Sequence, residues 1–305
     1  FMIAVLSGGV GAARLLRALG GVVDPSELTA IVNVGDDLVL HGLTICPDLD
    51  TITYTLAGLS NEVLGWGLTG ETWRVRDELA ALGGEAWFSL GDRDLATHLY
   101  RSERLARGAT KSEVAAELAQ HHGVTTTLLP ATDDPLATRF TTELGEMSFQ
   151  EYFVKHHHDV VVTDISFEGA QSARPTAAVR EALTSAERIV IAPSNPLISI
   201  EPILRVPGIR DLVAQRREDV VAISPLVGGA ALKGPADRLM RELGHDVSVA
   251  GIAALYAPLA ATLIIDEMDA AHAPRVEAAG LKCVVTTTVM ADPVHARQLA
   301  QAVLA

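Results

Sequence analysis

MIAVLSGGVGAARLLRAL, residues 2–19, decides the architecture of this chain. Its first five residues are all apolar and run into a glycine cluster, and from Ala12 to Leu19 apolar residues recur at helical spacing. That is a strand, a tight loop and a helix. A strand with no polar alternation is covered on both faces, as the strands of parallel sheets are. The same type recurs in LTAIVNV (28–34), DVVVTDI (159–165), RIVIAP (188–193), DVVAISP (219–225) and KCVVTTT (282–288). Amphipathic helical stretches at 175–186, 235–243 and 293–304 lie between or after them. Strands of this kind alternating with helices predict an α/β fold, doubly wound around a mainly parallel, Rossmann-like sheet.

Residues 71–122 differ, because ETWRVRDELAAL, RDLATHLYRSERLARG and KSEVAAELAQHH all read as helices without a strand among them. One α/β domain over 1–305 is therefore expected, carrying a mainly helical insertion at about 71–122. VTTTLLP and TRFTTELG, within 124–145, alternate like strands and predict a hairpin or sheet edge.

Composition limits the partners. The chain has 305 residues, 49% of them apolar, and a formal charge of −14. A surface for nucleic acid or an anionic membrane needs basic patches, so neither is expected as a partner. An anionic ligand would need local cations. The two cysteines, Cys46 and Cys283, suit a reducing cytoplasm and show no disulfide framework. No signal peptide is read ahead of the first strand, and Phe1 is assigned no role. A cytoplasmic location is expected. The most apolar segment, 247–265, is interrupted by Gly251, Tyr256 and Pro258 and reads as a buried helix and strand, not a membrane span.

SGGVGAAR (7–14) places Gly8, Gly9 and Gly11 where a helix begins, and free amides with the positive end of the helix dipole favour a phosphate there. As a dinucleotide fingerprint the loop is incomplete. Arg14 stands where a third glycine or alanine belongs, and the second strand ends in Asn33 instead of an acid for a ribose. The loop that follows, NVGDDLVLHGLTICPDLDT (33–51), holds Asp36, Asp37, Asp48 and Asp50 with no lysine or arginine. Four such carboxylates repel one another, whereas a hard divalent cation such as Mg²⁺ is held by one or two carboxylates and phosphate oxygens. Asp37 and Asp50 are the expected metal and catalytic residues. Asp36 and Asp48 read as loop and cap residues, with a helix expected from near Thr51.

Further along, SLGDRDLATHLYRS (89–102) sets Asp92, Arg93, Asp94 and His98 at a helix start, where Arg93 can grip a phosphate or a polar heterocycle. An N-capped helix with internal ion pairs fits that segment equally well when it is taken alone. APSNPLISIEPIL (192–204) presents Ser194, Asn195 and Ser199 between prolines, and its chain is not expected to continue into a helix. Gly228 and Gly229, with Lys233 and Gly234, form a second candidate anion or base loop. The run His156, His157, His158, Asp159 reads as a solvated helix end, since neighbouring helical residues point apart. No local signature of a serine or cysteine nucleophile is present.

In that order, SGGVG, NVGDDLVLHGL, PDLDT, LGDRDLATH, PSNPLISIEPI and ISPLVGG with its later GP resemble the 2-phospho-L-lactate transferase family of deazaflavin coenzyme F-420 biosynthesis. The likeness spans nearly the whole chain, and PDLDT with GDRDLATH carries most of it. The resemblance implies Mg²⁺-dependent transfer of a phospho-lactyl or phospho-enolpyruvyl group from a guanosine diphosphate-linked donor to the deazaflavin precursor Fo, releasing GMP. It implies Asp50 at the Fo ribityl chain or the metal, Asp37 at the metal, and Arg93 at Fo or the donor. Gly8, Gly9 and Gly11 would cradle phosphate, while Asn195, Ser199, Gly228 and Gly229 would face the guanosine. A homodimer is implied as well. The competing expectation is a nucleotide-sugar-binding regulator of the wider superfamily without turnover; an NAD-linked dehydrogenase is weakened by Arg14 and Asn33.

Overall fold

The computed structural model describes residues 1–305. β1 (Ile3–Ser7) leads through the glycine loop into α1 (Gly9–Leu19), and β2 (Leu28–Val32) follows. A short hairpin, β3 (Leu38–Leu40) and β4 (Leu43–Ile45), precedes α2 (Pro47–Leu56). The segment expected to be helical holds α3 (Arg74–Ala81), α4 (Asp92–Ala106) and α5 (Lys111–His121). Then come β5 (Thr127–Pro130), β6 (Ala137–Thr142), β7 (Gly145–Ser148), β8 (Val162–Glu168) and α6 (Ala177–Ser185). β9 (Arg188–Ile191) is followed by a π-helical turn over Pro196–Ile200, α7 (Glu201–Arg205), α8 (Ile209–Gln215) and β10 (Val220–Ile223). The two-residue strands β11 (Leu226–Val227) and β12 (Ala230–Ala231) lead to α9 (Ala236–Glu242) and α10 (Val249–Tyr256). β13 (Thr262–Asp266), α11 (Ala273–Ala278), β14 (Lys282–Thr286) and α12 (Pro293–Leu304) complete the chain.

Seven strands form one sheet in the order β14-β13-β10-β9-β1-β2-β5, and every pairing in it is parallel. Alternate residues of β1 enter opposite cores: Ala4 and Leu6 one, Ile3 and Val5 the other. Residues from α6, α8 and α10 close the first face, and residues from α1, α2 and α12 close the second. This is why the strands show no polar alternation. From β1 the chain builds outward to β2 and β5 on one side, and to β9, β10, β13 and β14 on the other. The order therefore reverses between β1 and β9, and a crevice opens there at the carboxyl ends of the strands.

Four local expectations are corrected. DVVVTDI is not a strand of the parallel sheet: β8 pairs antiparallel with β6, in a separate sheet ordered β7-β6-β8. Its exposed Asp164, Ser166 and Glu168 leave one face uncovered, and the run Val160–Val162 hid that alternation. Of the hairpin and the sheet edge expected within 124–145, the sheet edge is found, since β5 is the edge strand of the main sheet, and the hairpin between the two strands is not, since β6 turns back on β7. α2 starts at Pro47, not near Thr51, because proline at the first helical position sacrifices no needed N–H. The same reason lets the chain after β9 pass directly into helical turns, with Pro196 at the start of one and Pro202 at the start of the next. No helix is long and apolar enough to cross a membrane.

Candidate functional site

Gly8 is the point at which three separate segments meet. A β-carbon placed on it would lie 2.7 Å from Ser199 Cβ and 3.0 Å from Asp48 Oδ2, and one on Gly11 would lie 2.6 Å from the Pro193 carbonyl oxygen. These two glycines thus allow close approach of the chain after β9 and of α2. Gly9 has φ +69° and faces open space. Gly8 caps α1 without a side-chain hydrogen bond, so the first turn of the helix presents backbone amides to the crevice. Ser194 Oγ donates to the Gly8 carbonyl at 2.7 Å and ties the β9 segment to the loop.

Asn33, at the end of β2, is fully buried and donates from Nδ2 to Asp48 Oδ2 at 3.0 Å. An acid at this position would repel Asp48; the amide holds it. Burial pushes the Asp48 carboxyl up to about 6, although Asn33 and the Gly9 amide oppose the rise. Asp36 is 5% exposed, and its Oδ1 has no partner. Burial first, and then the neighbouring Asp48 charge, lift its carboxyl well above the usual range. Gln150 fixes the loop by donating to the Asp36 carbonyl at 3.2 Å.

The other two aspartates have cations. Lys111 Nζ, at the start of α5, lies 2.6 Å from Asp37 Oδ2 in a mostly buried pair. Arg101, on α4, donates to both oxygens of Asp50, at 3.1 Å to Oδ2. The local sequence around the four aspartates lacks cations, but the helical segment returns two to it. The carboxylates without compensation are Asp36 and Asp48, the reverse of the emphasis expected from sequence.

Around Asp50 a buried polar network extends into α4. His98 Nδ1 lies 3.2 Å from Arg101 Nη1, and its Nε2 faces Asp94 Oδ2 at 3.3 Å. Tyr54 Oη donates to Asp94 Oδ1 at 2.7 Å. Asp50, Asp94 and His98 each bring a ligand atom within 4.8 Å of the others, but Arg101 already engages both Asp50 oxygens. Burial raises the Asp50 carboxyl, with Arg101 and His98 working against it. Burial would also raise Asp94, yet His98 and Tyr54 hold it below its ordinary range.

The remaining sequence candidates divide. Arg93 is exposed and donates to the Thr69 carbonyl at 2.7 Å, while Glu71 accepts from the Arg93 and Asp94 amides and so caps α4. Asn195 caps the turn after β9, accepting from the Leu197 amide at 3.0 Å, and its buried Nδ2 is left without a partner. Ser199 packs on Gly8. Gly228 and Gly229 form the tight turn between β11 and β12, with φ of +60° and +77°. The Gly228 amide donates to Asp269 Oδ2 at 2.9 Å, so it is not free to bind a ligand. Sequence reasoning missed Arg101, Lys111, Tyr54 and Gln150. For Arg101 a signal existed: Asp94, His98 and Arg101 follow at i, i+4 and i+7, one face of a helix. The others are brought in by packing alone.

A family model described as 2-phospho-L-lactate transferase CofD matches residues 3–299. The chain is 44% identical over 296 residues to a phosphoenolpyruvate transferase of Streptomyces griseus, covering 95% of this chain and 93% of that one. It is 36% identical to a 2-phospho-L-lactate transferase of Methanosarcina acetivorans, covering 98% and 97%. A crystal structure of a UPF0052-family protein from Bacillus halodurans superposes with a TM-score of 0.60 at 18% identity, over 99% of this chain and 98% of that one. This last likeness concerns the fold alone.

Proposed function

This chain belongs to the 2-phospho-L-lactate transferase CofD family, and from that premise we propose that it transfers a phospho-enolpyruvyl or 2-phospho-L-lactyl group from a guanosine diphosphate-linked donor to Fo, with release of GMP. The observation that carries this reading is the meeting of the first turn of α1 with the buried carboxylate of Asp48, whose neighbour Asp36 is likewise without a cation, at the reversal of the sheet order. An amide-lined helix start suits a diphosphate. Six relatives named phosphoenolpyruvate transferase are 39–44% identical and two named 2-phospho-L-lactate transferase are 36–37% identical, which favours the enolpyruvyl donor.

A hard divalent cation fits this donor set. The unpartnered Asp36 Oδ1 and the neighbouring Asp48 are oxygen ligands without a positive charge, whereas Asp37 and Asp50 are occupied by Lys111 and Arg101. Asp36 and Asp48 are accordingly the residues we assign to Mg²⁺, in place of Asp37 and Asp50. When bound, Mg²⁺ would neutralise charge on diphosphate oxygens.

In the transfer, the terminal ribityl hydroxyl of Fo attacks the phosphorus bearing the small acid. One P–O bond forms, the P–O bond to GMP breaks, and the hydroxyl proton is released. No covalent protein nucleophile is needed, because positioning and charge stabilisation supply most of the acceleration in such reactions. The α1 amides hold the donor phosphates, and Asn33 keeps Asp48 turned toward them. Asp50, held by Arg101, forms with His98 and Asp94 a rigid polar wall that orients the acceptor. Incubated with Fo, Mg²⁺ and the guanylylated donor, the protein should release GMP and yield a heavier, more acidic deazaflavin. Tight binding of UDP-sugars without product from either donor would replace this reading with the regulatory one.

A further inference from the structure

A second cationic feature lies beside the glycine loop, in a pocket between α1 and α2. Its polar lining comes from Arg14 and Arg17 of α1, Thr51 and Thr55 of α2, and Ser60 and Asn61 of the following loop. Arg17 is committed, since its guanidinium pairs with Glu62 at 2.8 Å and neutralises the one carboxylate at the pocket. Arg14 is half-buried and has neither an ion pair nor a hydrogen bond. The Thr55 hydroxyl, on a residue only 6% exposed, is also without a protein partner. From the far side of the chain Lys233 reaches the rim: its Nζ lies 3.0 Å from where a β-carbon on Gly65 would sit. Lys233 has no acidic partner either.

Two free cations from distant parts of a chain with formal charge −14, converging on a hydroxyl-lined pocket, call for an anion. We propose that this pocket is an oxyanion subsite that takes a carboxylate or phosphate of the donor, with Arg14 as its principal ligand and Lys233 at its edge. The proposal rests on the transfer reading above and adds to it the residue that holds the donor's far end. Arg14 follows Gly9 by five residues, a rise of about 7.5 Å along the helix axis. That distance suits one molecule bridging the amides of the first turn and the guanidinium. It also accounts for the arginine that spoiled the dinucleotide fingerprint: a glycine or alanine there would remove the anion's only guanidinium without an acidic partner.

The test is titration calorimetry with inorganic phosphate, phosphoenolpyruvate and GDP on wild type, Arg14→Met and Arg14→Lys. Loss of a charge-assisted hydrogen-bonded contact predicts roughly 10- to 100-fold weaker binding in Arg14→Met, with part of it restored by lysine. A loss confined to phosphoenolpyruvate assigns the carboxylate to the subsite; a loss extending to GDP assigns the phosphate. Arg14 has no bond to the fold, so the thermal midpoint of the variants should match wild type. Equal affinities of wild type and Arg14→Met for all three ligands, or transfer with an unchanged KM for the donor, would overturn the subsite. If phosphate and phosphoenolpyruvate bind through Arg14 but no donor is turned over, the subsite stands and the transferase reading falls.

Discussion

Replacing Arg101 by methionine isolates the electrostatics of the site in one measurement. Arg101 is 2% exposed and Asp50 6% exposed, and the guanidinium meets both oxygens of the carboxylate. Methionine fills much of the same volume but removes the charge and leaves Asp50 buried without a partner. Breaking one side of such a pair costs about 3–5 kcal/mol. A proton can limit that cost. Burial already raises the Asp50 carboxyl, and without Arg101 it rises further above its unfolded value. The stability contributed by protonated Asp50 is fully present below its unfolded pKa and is lost as pH rises through its folded one, by up to about 1.4 kcal/mol per pH unit. Urea unfolding should therefore show Arg101→Met close to wild type near pH 4, about the unfolded value of an aspartate, and several kcal/mol weaker near pH 8. Adding Asp50→Asn to that variant should recover most of the loss, because no ionised group then remains to be neutralised. A loss under about 1 kcal/mol at pH 8, or no recovery in the double variant, would refute the buried ion pair as described.

Two further outcomes follow from the crevice. Asp48, raised by burial to about 6, contributes stability when protonated; this is present below about pH 4 and lost as pH rises through 6, an amount on the order of 3 kcal/mol in metal-free protein. Asp48→Asn should flatten that decline in urea titrations with chelator present, and an unchanged slope counts against it. Gly8→Ala would force a β-carbon to within 2.7 Å of Ser199 Cβ, with an overpacking cost of about 1–3 kcal/mol. Thermal unfolding should show this loss and its relief by Ser199→Gly; a neutral Gly8→Ala would mean the two segments do not pack as closely as described.

Periodicity was legible wherever an element is buried on a defined set of faces. The opening strand, loop and helix lie where their pattern placed them, as do α6, α9 and α12. Elements at the margins of the core were less legible. β8 carries an apolar start, Val160–Val162, but one face is open, and its neighbours came from β6 instead of the parallel sheet. α2 opens four residues ahead of Thr51, because Pro47 supplies its first helical position without sacrificing a needed N–H. Polar side chains followed the same division. Asp94, His98 and Arg101 share a helix face that spacing reveals, whereas the pairing of Lys111 with Asp37 crosses 74 positions and leaves no local mark.

By itself the sequence determined a doubly wound α/β chain with a glycine loop after its first strand and an acidic loop after its second, because side-chain periodicity follows from local backbone geometry. Only the tertiary structure decided which of the four aspartates keep an uncompensated charge. A stretch without lysine or arginine need not be a region without cations. Arg101 and Lys111 arrive from helices far along the chain, and the field at a carboxylate depends on distance in space, falling with separation and rising with burial. Asp37 and Asp50 are thereby neutralised, and Asp48 is left facing the first turn of α1 with Asp36 beside it.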